Sequence, residues 1–183
     1  MKEKILFHVC CAPCLLPGLK KLNDYELYLY FPNSNIYPEH EFLKRLNEVK
    51  KLSFKNKIHL IVEDYEHKAW LDFIKGLEKE PEGKNRCLKC FEFNLEKSAK
   101  KAKELGIKKF TTSLTTGREK NSKKVFFVAK QIAKKYDLEF LDIDFKKQNG
   151  NLYSVKESRR LGLYRQDYCG CEFSFAKKAL NSN

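Results

Sequence analysis

All seven cysteines of this chain fall into three short motifs: Cys10-Cys-Ala-Pro-Cys14, Cys87-Leu-Lys-Cys90 and Cys169-Gly-Cys171. An odd number excludes a complete set of internal disulfides. Scattered small core residues would not cluster in this way. Two thiols three residues apart can close on one centre across a turn or a helix start. In Cys169-Gly-Cys171 the glycine lets the backbone bend tightly, so both sulfurs can face one site. Cys10 and Cys11 are adjacent. In an extended segment they would point to opposite sides, so they serve different metals or need a turn to converge. Asn85 is the expected N-cap of a helix carrying Cys87 and Cys90, whose positive end would lower their thiolate pKa values.

Seven thiols exceed the four of a usual structural zinc site or a single cubane cluster. Two readings follow: a metal cluster with a second metal or a redox-active thiol pair, or one structural zinc with spare thiols. Zinc ribbons pair two C-x-x-C motifs about 15–20 residues apart. Here nearly 80 residues separate the second motif from the third. Ligands drawn from three distant loops point to an active site. No G-x-S-x-G, H-E-x-x-H, P-loop or G-x-G-x-x-G competes with it. His8 lies in an apolar run and reads as a packed core residue, and His40, His59 and His67 are scattered.

Hydrophobic patterning predicts strands over Lys4–Val9, Tyr25–Phe31, Lys57–Val62, Lys108–Leu114 and Leu138–Phe145. Helices are predicted from near Pro13 to Leu22, over Pro38–Leu52, His67–Leu77, Cys87–Leu105 and Ser122–Tyr136, with two short helices around Cys169. This alternation predicts a parallel, Rossmann-like α/β sheet with helices on both faces. Such sheets place ligands at the turns after their strands. Cys10–Cys14 is the first of those turns, which puts a cysteine-rich metal site at the C-terminal edge of the strands. The 183 residues suit a single domain, 1–183.

The formal charge is +13, from 37 Lys+Arg against 24 Asp+Glu. Lysine pairs recur along the chain, as at Lys20-Lys21, Lys50-Lys51 and Lys123-Lys124. They form either a solvated surface or the footprint of a polyanion partner. No apolar run approaches the roughly 20 residues that span a bilayer. The first residues carry no charged-then-apolar leader, so a soluble, cytoplasmic protein is expected, with no membrane partner.

At these residues the chain resembles the QueH family of epoxyqueuosine reductases. The likeness covers nearly all of it: His8-Val-Cys-Cys-Ala-Pro-Cys14, Asn33-Ser-Asn-Ile-Tyr-Pro38 with Glu41 and Arg45, Gly76-Leu-Glu78, Glu80-Pro-Glu-Gly83, Arg86-Cys-Leu-Lys-Cys-Phe91, and Gly162-Leu-Tyr-Arg-Gln-Asp-Tyr-Cys-Gly-Cys171. Two segments depart from the family pattern. Asn94-Leu95 stands where an Arg-Leu pair is expected, and Thr115-Thr-Gly-Arg118 replaces a more usual apolar–proline stretch.

The resemblance implies a HUP-type α/β fold close to that of tRNA-thiolating enzymes, without their Ser-Gly-Gly-x-Asp-Ser ATP loop. It implies the last step of queuosine formation, reduction of the epoxide on the modified wobble guanosine of a tRNA anticodon to the alkene. Electrons would come from an external ferredoxin- or flavodoxin-like donor through a [4Fe-4S] cluster. A second, incompletely ligated iron could act as a Lewis acid. Cys10, Cys11, Cys14, Cys87, Cys90, Cys169 and Cys171 are the expected metal ligands. Tyr168, Asp167 and Glu82 are candidate proton donors. Arg86, Arg165 and Gln166, with Asn33, Asn35 and Tyr37, are candidates for holding the anticodon or its flipped base. Tyr37 and Phe31 offer stacking surface, with core packing the other role open to Phe31. A zinc-binding RNA-interaction module and an iron–sulfur tRNA thiolase remain the alternatives.

Overall fold

The computed structural model describes residues 2–117 and 120–181. Arg118, part of the departing Thr115–Arg118 segment, lies outside the described residues. The elements run β1 (Lys4–His8), α1 (Ala12–Lys21), β2 (Glu26–Phe31), α2 (Glu39–Asn56), β3 (His59–Val62), α3 (His67–Phe73), α4 (Asn85–Glu104) and β4 (Lys109–Thr112). After a 3-10 turn (Ser113–Thr116) come α5 (Ser122–Tyr136), β5 (Glu139–Phe140), α6 (Gly150–Arg160) and α7 (Glu172–Asn181). Every strand pair is parallel, and the sheet order is β3-β2-β1-β4-β5. This is the expected parallel α/β sheet.

The period of two along β1 divides the core. Ile5 and Phe7 join Leu29 and Phe31 under α1 and α2. Leu6 joins Tyr30 and Phe110 under α4 and α5. Phe31 is therefore a core residue. Gly18 allows α1 to lie on β1, since a Cβ there would sit 2.2 Å from the Phe7 ring. Pro17 lies inside α1 and cannot donate to the Pro13 carbonyl. Ser154 of α6 donates to that carbonyl instead, at 2.6 Å. A helix break in the sequence thus becomes the joint between α1 and α6.

Several element ends differ from expectation for local reasons. β5 stops at Phe140 rather than Phe145, because β4 has already turned into the 3-10 segment. Side chains replace the ladder there: Thr111 donates to the Leu141 carbonyl and Thr115 to that of Ile143. α2 continues a turn past Leu52 to a left-handed cap at Lys57. α3 ends at Phe73, four residues short of Leu77. Asn85 is not an N-cap: it is the first residue of α4, behind Lys84, and its side chain donates to Glu80 at 3.2 Å.

The strand order reverses between β1 and β4, and a buried polar chain joins the strand ends at that point. The Leu114 amide donates to Thr112 Oγ1. Thr112 Oγ1 lies 2.7 Å from His8 Nδ1, and His8 Nε2 lies 3.2 Å from Asn33 Oδ1. Asn33 Nδ2 is committed to the Val9 carbonyl at 2.7 Å. Asn33 Oδ1 must then accept from His8 Nε2–H, and in a neutral ring Nδ1 accepts from the threonine hydroxyl. His8 is neutral in this arrangement. Burial lowers its pKa to about 4, against an upward pull from the Asn33 hydrogen bond.

An unfolded histidine binds its proton near 6.5. The unfolded state therefore holds more protons below that pH, and stability present above it is lost as pH falls toward 4. Between pH 7 and pH 5 this group should cost the metal-free chain about 2 kcal/mol of stability. His8→Phe should be less stable at pH 7, because Thr112 and Asn33 lose their partner, and should lack this slope. Urea unfolding at both pH values checks the expectation; equal slopes for the two proteins would refute it.

Candidate metal centre

The cysteine motifs meet where the strand order reverses. Past β1 the chain turns at once into α1, with Cys11 as its N-cap; the Cys11 sulfur accepts from the Cys14 amide at 3.1 Å. That turn brings the sulfurs of Cys10, Cys11 and Cys14 within 4.8 Å of one another. Adjacent Cys10 and Cys11 therefore converge. Cys11 and Cys14 are joined as a disulfide, Cα–Cα 5.3 Å, leaving Cys10, Cys87, Cys90, Cys169 and Cys171 as thiols. A disulfide sulfur is not a thiolate ligand, so all seven expected ligands are present only when this pair is reduced.

Cys87 and Cys90 lie in the first two turns of α4. Cys169 and Cys171 flank Gly170, whose φ of +138° is open to glycine and strained for other residues. Six cysteines, all but Cys11, line one cavity of 590 Å³. Contrary to expectation, the start of α4 does not lower its thiol pKa values. Burial raises Cys87, and burial followed by Cys169 and Cys171 raises Cys90.

The Cys169–Cys171 loop is held by a buried ion pair. Arg45 Nε lies 2.7 Å from Glu41 Oε1, and both side chains are almost fully buried. The same guanidinium donates to the carbonyls of Cys169 at 3.1 Å and Tyr168 at 3.4 Å. Glu41 also accepts from the Tyr164 hydroxyl at 2.8 Å. The Tyr37 amide donates to the Gly170 carbonyl, and the Tyr168 hydroxyl donates back to the Tyr37 carbonyl. His67 bridges the Ser34 carbonyl and Glu172, fixing the start of α7.

Other expected site residues divide between the cavity and its supports. Asn35, Glu82, Arg86, Gln166, Asp167 and Tyr168 line the cavity. Asn33 lines it too, but its amide belongs to the His8 chain. Tyr37 does not line it; its ring faces His67 and Phe175. Arg165 is exposed and outside the lining. Arg86 is buried, gathers the carbonyls of Glu78 and Glu80, and stacks on Phe173. The Tyr168 hydroxyl proton is engaged by Tyr37, and burial raises its pKa further.

Four buried polar atoms in this lining have no hydrogen-bond partner within the protein: Trp70 Nε1, Arg86 Nε, Asn94 Oδ1 and Gln166 Oε1. Buried polar atoms are normally satisfied, so these four stand out among the residues of the lining. Asn94 occupies the position where the sequence departs from the family pattern. Its amide nitrogen donates to the Cys90 carbonyl and to Asn35 Oδ1.

Sequence reasoning missed Lys120. Its ammonium donates to Cys169 Sγ at 3.0 Å. Burial opposes that charge, but Cys169 and Cys10 outweigh it and raise the pKa. A lone lysine in a lysine-rich chain carries no pattern that could have flagged it.

Known proteins place this arrangement. Residues 5–177 match the family model described as epoxyqueuosine reductase QueH. The epoxyqueuosine reductase QueH of Streptococcus pyogenes serotype M1 is 38% identical over 95% of this chain and 71% of its own length. Those of Staphylococcus epidermidis and Thermotoga maritima are 35% and 34% identical, over 98% and 95% of this chain and 79% and 91% of theirs. Among solved structures, the fold is similar to the U34-tRNA thiolase NcsA from Methanococcus maripaludis with its [4Fe-4S] cluster. The TM-score is 0.61 and the identity 15%, over all of this chain and 67% of the other.

Removing one partner of a buried ion pair strands the other's charge, at a cost of about 3–5 kcal/mol. Arg45→Leu should therefore destabilise the anaerobic, metal-free chain by about 3 kcal/mol. Arg45→Lys should rescue little of it, since one ammonium cannot serve a carboxylate and two carbonyls in a fixed fork. A loss below about 1 kcal/mol in urea unfolding of Arg45→Leu, the level of an exposed pair, would show that the pair does not hold the loop.

Proposed function

The chain belongs to the epoxyqueuosine reductase QueH family, and on that premise we propose how its cavity reduces the epoxide of epoxyqueuosine at the wobble position of a tRNA anticodon to queuosine. The overall change is two electrons and two protons added, the epoxide oxygen lost as water, and an alkene formed. One observation carries the reading: sulfurs from three distant motifs line a single cavity whose wall also holds unpartnered polar atoms.

Thiolates are the ligands that iron–sulfur clusters take, so this donor set fits a [4Fe-4S] cluster. We assign its binding to Cys10, Cys87, Cys90, Cys169 and Cys171, joined by Cys11 and Cys14 once their disulfide is reduced to the dithiol that a reducing compartment maintains. Four ligands complete a cubane, and the surplus suits a second iron. When bound, these metals supply electrons singly and a Lewis acid for oxygen. Everything else falls to the chain's own side chains.

By turning toward the cavity, the side chains of Arg86, Asn94 and Gln166, each with a polar atom unpartnered in the protein, would meet the polar edge of a base taken out of its stack. Asn35 supports Asn94. Glu82 and Asp167 stand on the wall, where they can pass protons to the departing oxygen. Tyr168 positions the third cysteine motif. Exposed Arg165, next to lining residue Gln166, is placed for backbone phosphates, as are the exposed lysines. Residues 1–183 act as a single catalytic domain in the cytoplasm, taking electrons from a ferredoxin- or flavodoxin-like protein. No helix among the described residues is long and apolar enough to cross a membrane. A tRNA thiolase shares the fold, so ATP dependence is the discriminating measurement: the reductase needs none.

Anaerobically isolated protein should hold iron and acid-labile sulfide in excess of a mononuclear site, and should reduce epoxyqueuosine in tRNA. One zinc per chain and no sulfide would overturn the reading. Cys90→Ser should abolish reduction and lower sulfide content, because serine is a poor soft-metal ligand. Full activity in that variant, or in Cys171→Ser, would defeat convergence of the motifs on one site.

Binding of tRNA should weaken at least tenfold between roughly 50 and 200 mM salt, through release of phosphate counterions. A salt-independent affinity would leave the +13 charge as a solvated surface only.

A further inference from the structure

Thiolate-bound iron–sulfur clusters carry negative charge, and each added electron increases it. The reduced state of such a site depends on nearby cations and on hydrogen bonds to its sulfurs. Among the described residues of the cavity lining, Lys120 is placed to supply both. Its ammonium donates to Cys169 Sγ at 3.0 Å. It also interacts electrostatically with Cys10 and Cys90, so its charge reaches one cysteine of each motif.

The side chain is not a free surface lysine in this position. The Lys120 amide donates to the Gly117 carbonyl, and its own carbonyl accepts from Lys146. The next residue, Asn121, caps α5 by accepting from the Lys124 amide at 3.3 Å. Lys124 in turn donates to the Gly83 carbonyl at 2.7 Å, tying the start of α5 to the turn that precedes Cys87. The backbone of Lys120 is therefore set by a helix start, and its stem crosses the cavity wall beside Phe91, with Nζ 5.8 Å from the ring centroid.

We propose that Lys120 is a positioning residue whose fixed ammonium, hydrogen-bonded to the sulfur of Cys169, raises the reduction potential of the metal site that the three cysteine motifs hold. This deepens the reductase reading and rests on it. An electron entering the site adds negative charge beside a cation already in place, in a setting partly shielded from water where that interaction is strong. The oxidised site gains less from the same cation. Lys120 then favours reduction before any tRNA is bound, unlike a lysine that serves only to hold phosphate.

The test is a redox titration of anaerobically reconstituted wild type, Lys120→Met and Lys120→Arg, followed by visible absorbance and electron paramagnetic resonance without tRNA. Iron and sulfide are measured in each sample. Lys120→Met keeps an unbranched stem of similar length and removes the ammonium. Its reduced-to-oxidised ratio at a fixed potential should fall at least tenfold, which is a 59 mV drop for one electron. Lys120→Arg should recover most of that shift.

An unchanged potential in Lys120→Met, or equal shifts in both variants, would overturn the proposal. If Lys120→Met folds but fails to load iron and sulfide while Lys120→Arg loads normally, the charge serves assembly of the site rather than its potential, and the proposal is overturned. Failure of both to load would assign Lys120 a role of shape alone and overturn it. Wild-type protein without iron or sulfide would instead overturn the iron–sulfur reading itself, before Lys120 is reached.

Discussion

The hydrogen-bonded chain from Leu114 through Thr112, His8 and Asn33 to Val9 fixes the geometry on which the cavity depends. Each member has a determined direction, because Asn33 has one amide nitrogen and gives it to a backbone carbonyl. Asn33 puts a proton on Nε2, and burial keeps the imidazole neutral, so Nδ1 accepts from the Thr112 hydroxyl. The hydrogen-bonded chain spans the ends of β1 and β4 and the loop after β2. In a parallel sheet whose order reverses at β1, those ends would otherwise diverge and open a crevice of uncertain width. Here a polar strut sets that width. The Cys10 amide, bonded to Ser113 Oγ, inherits its position from the strut.

The third cysteine motif comes from outside the sheet and needs a different anchor. Residues 162–171 have little regular structure, and a loop of that kind orders only if its backbone groups find partners. Arg45 provides two donors to successive carbonyls, and Glu41 holds the guanidinium in its fork. A buried ion pair adds little net stability by comparison with an apolar pair of the same shape. Its value here is directional: Leu or Met at position 45 could fill the space but could not place Cys169 and Cys171. Gly170 completes the fit, since a Cβ there would lie 3.1 Å from Arg45 Nη1.

What the sequence made legible follows from how far each signal reaches along the chain. The period of two in β1 and the apolar spacing of α5 are local, and α5 matches its expected range of Ser122–Tyr136. The cysteine motifs are short and dense, so their convergence could be argued before any coordinates. Ends set by tertiary partners were not legible. β5 ends where Thr111 and Thr115 take over its carbonyls, and nothing in Leu138–Phe145 reveals that. Asn85 has a good capping side chain, yet Glu80 engages it. Arg86 and Asn33 were expected at the substrate, and both line the cavity while the Asn33 amide and one Arg86 nitrogen also support its walls. Lys120 was invisible because its importance lies in one distance to a residue 49 positions away.

Burial raises the pKa values of Cys87 and Cys90, so these two thiols keep their protons until a metal displaces them. Several thiolates in so small a cavity would repel one another strongly. A metal that displaces those protons converts each neutral thiol into a charged ligand. The charge therefore arises only together with the cation that balances it. The polypeptide must still hold whatever negative charge the metal leaves uncompensated. Lys120, hydrogen-bonded to Cys169 Sγ, is a fixed countercharge on that wall, which links the packing of the cavity to the electron chemistry of the metal it would hold.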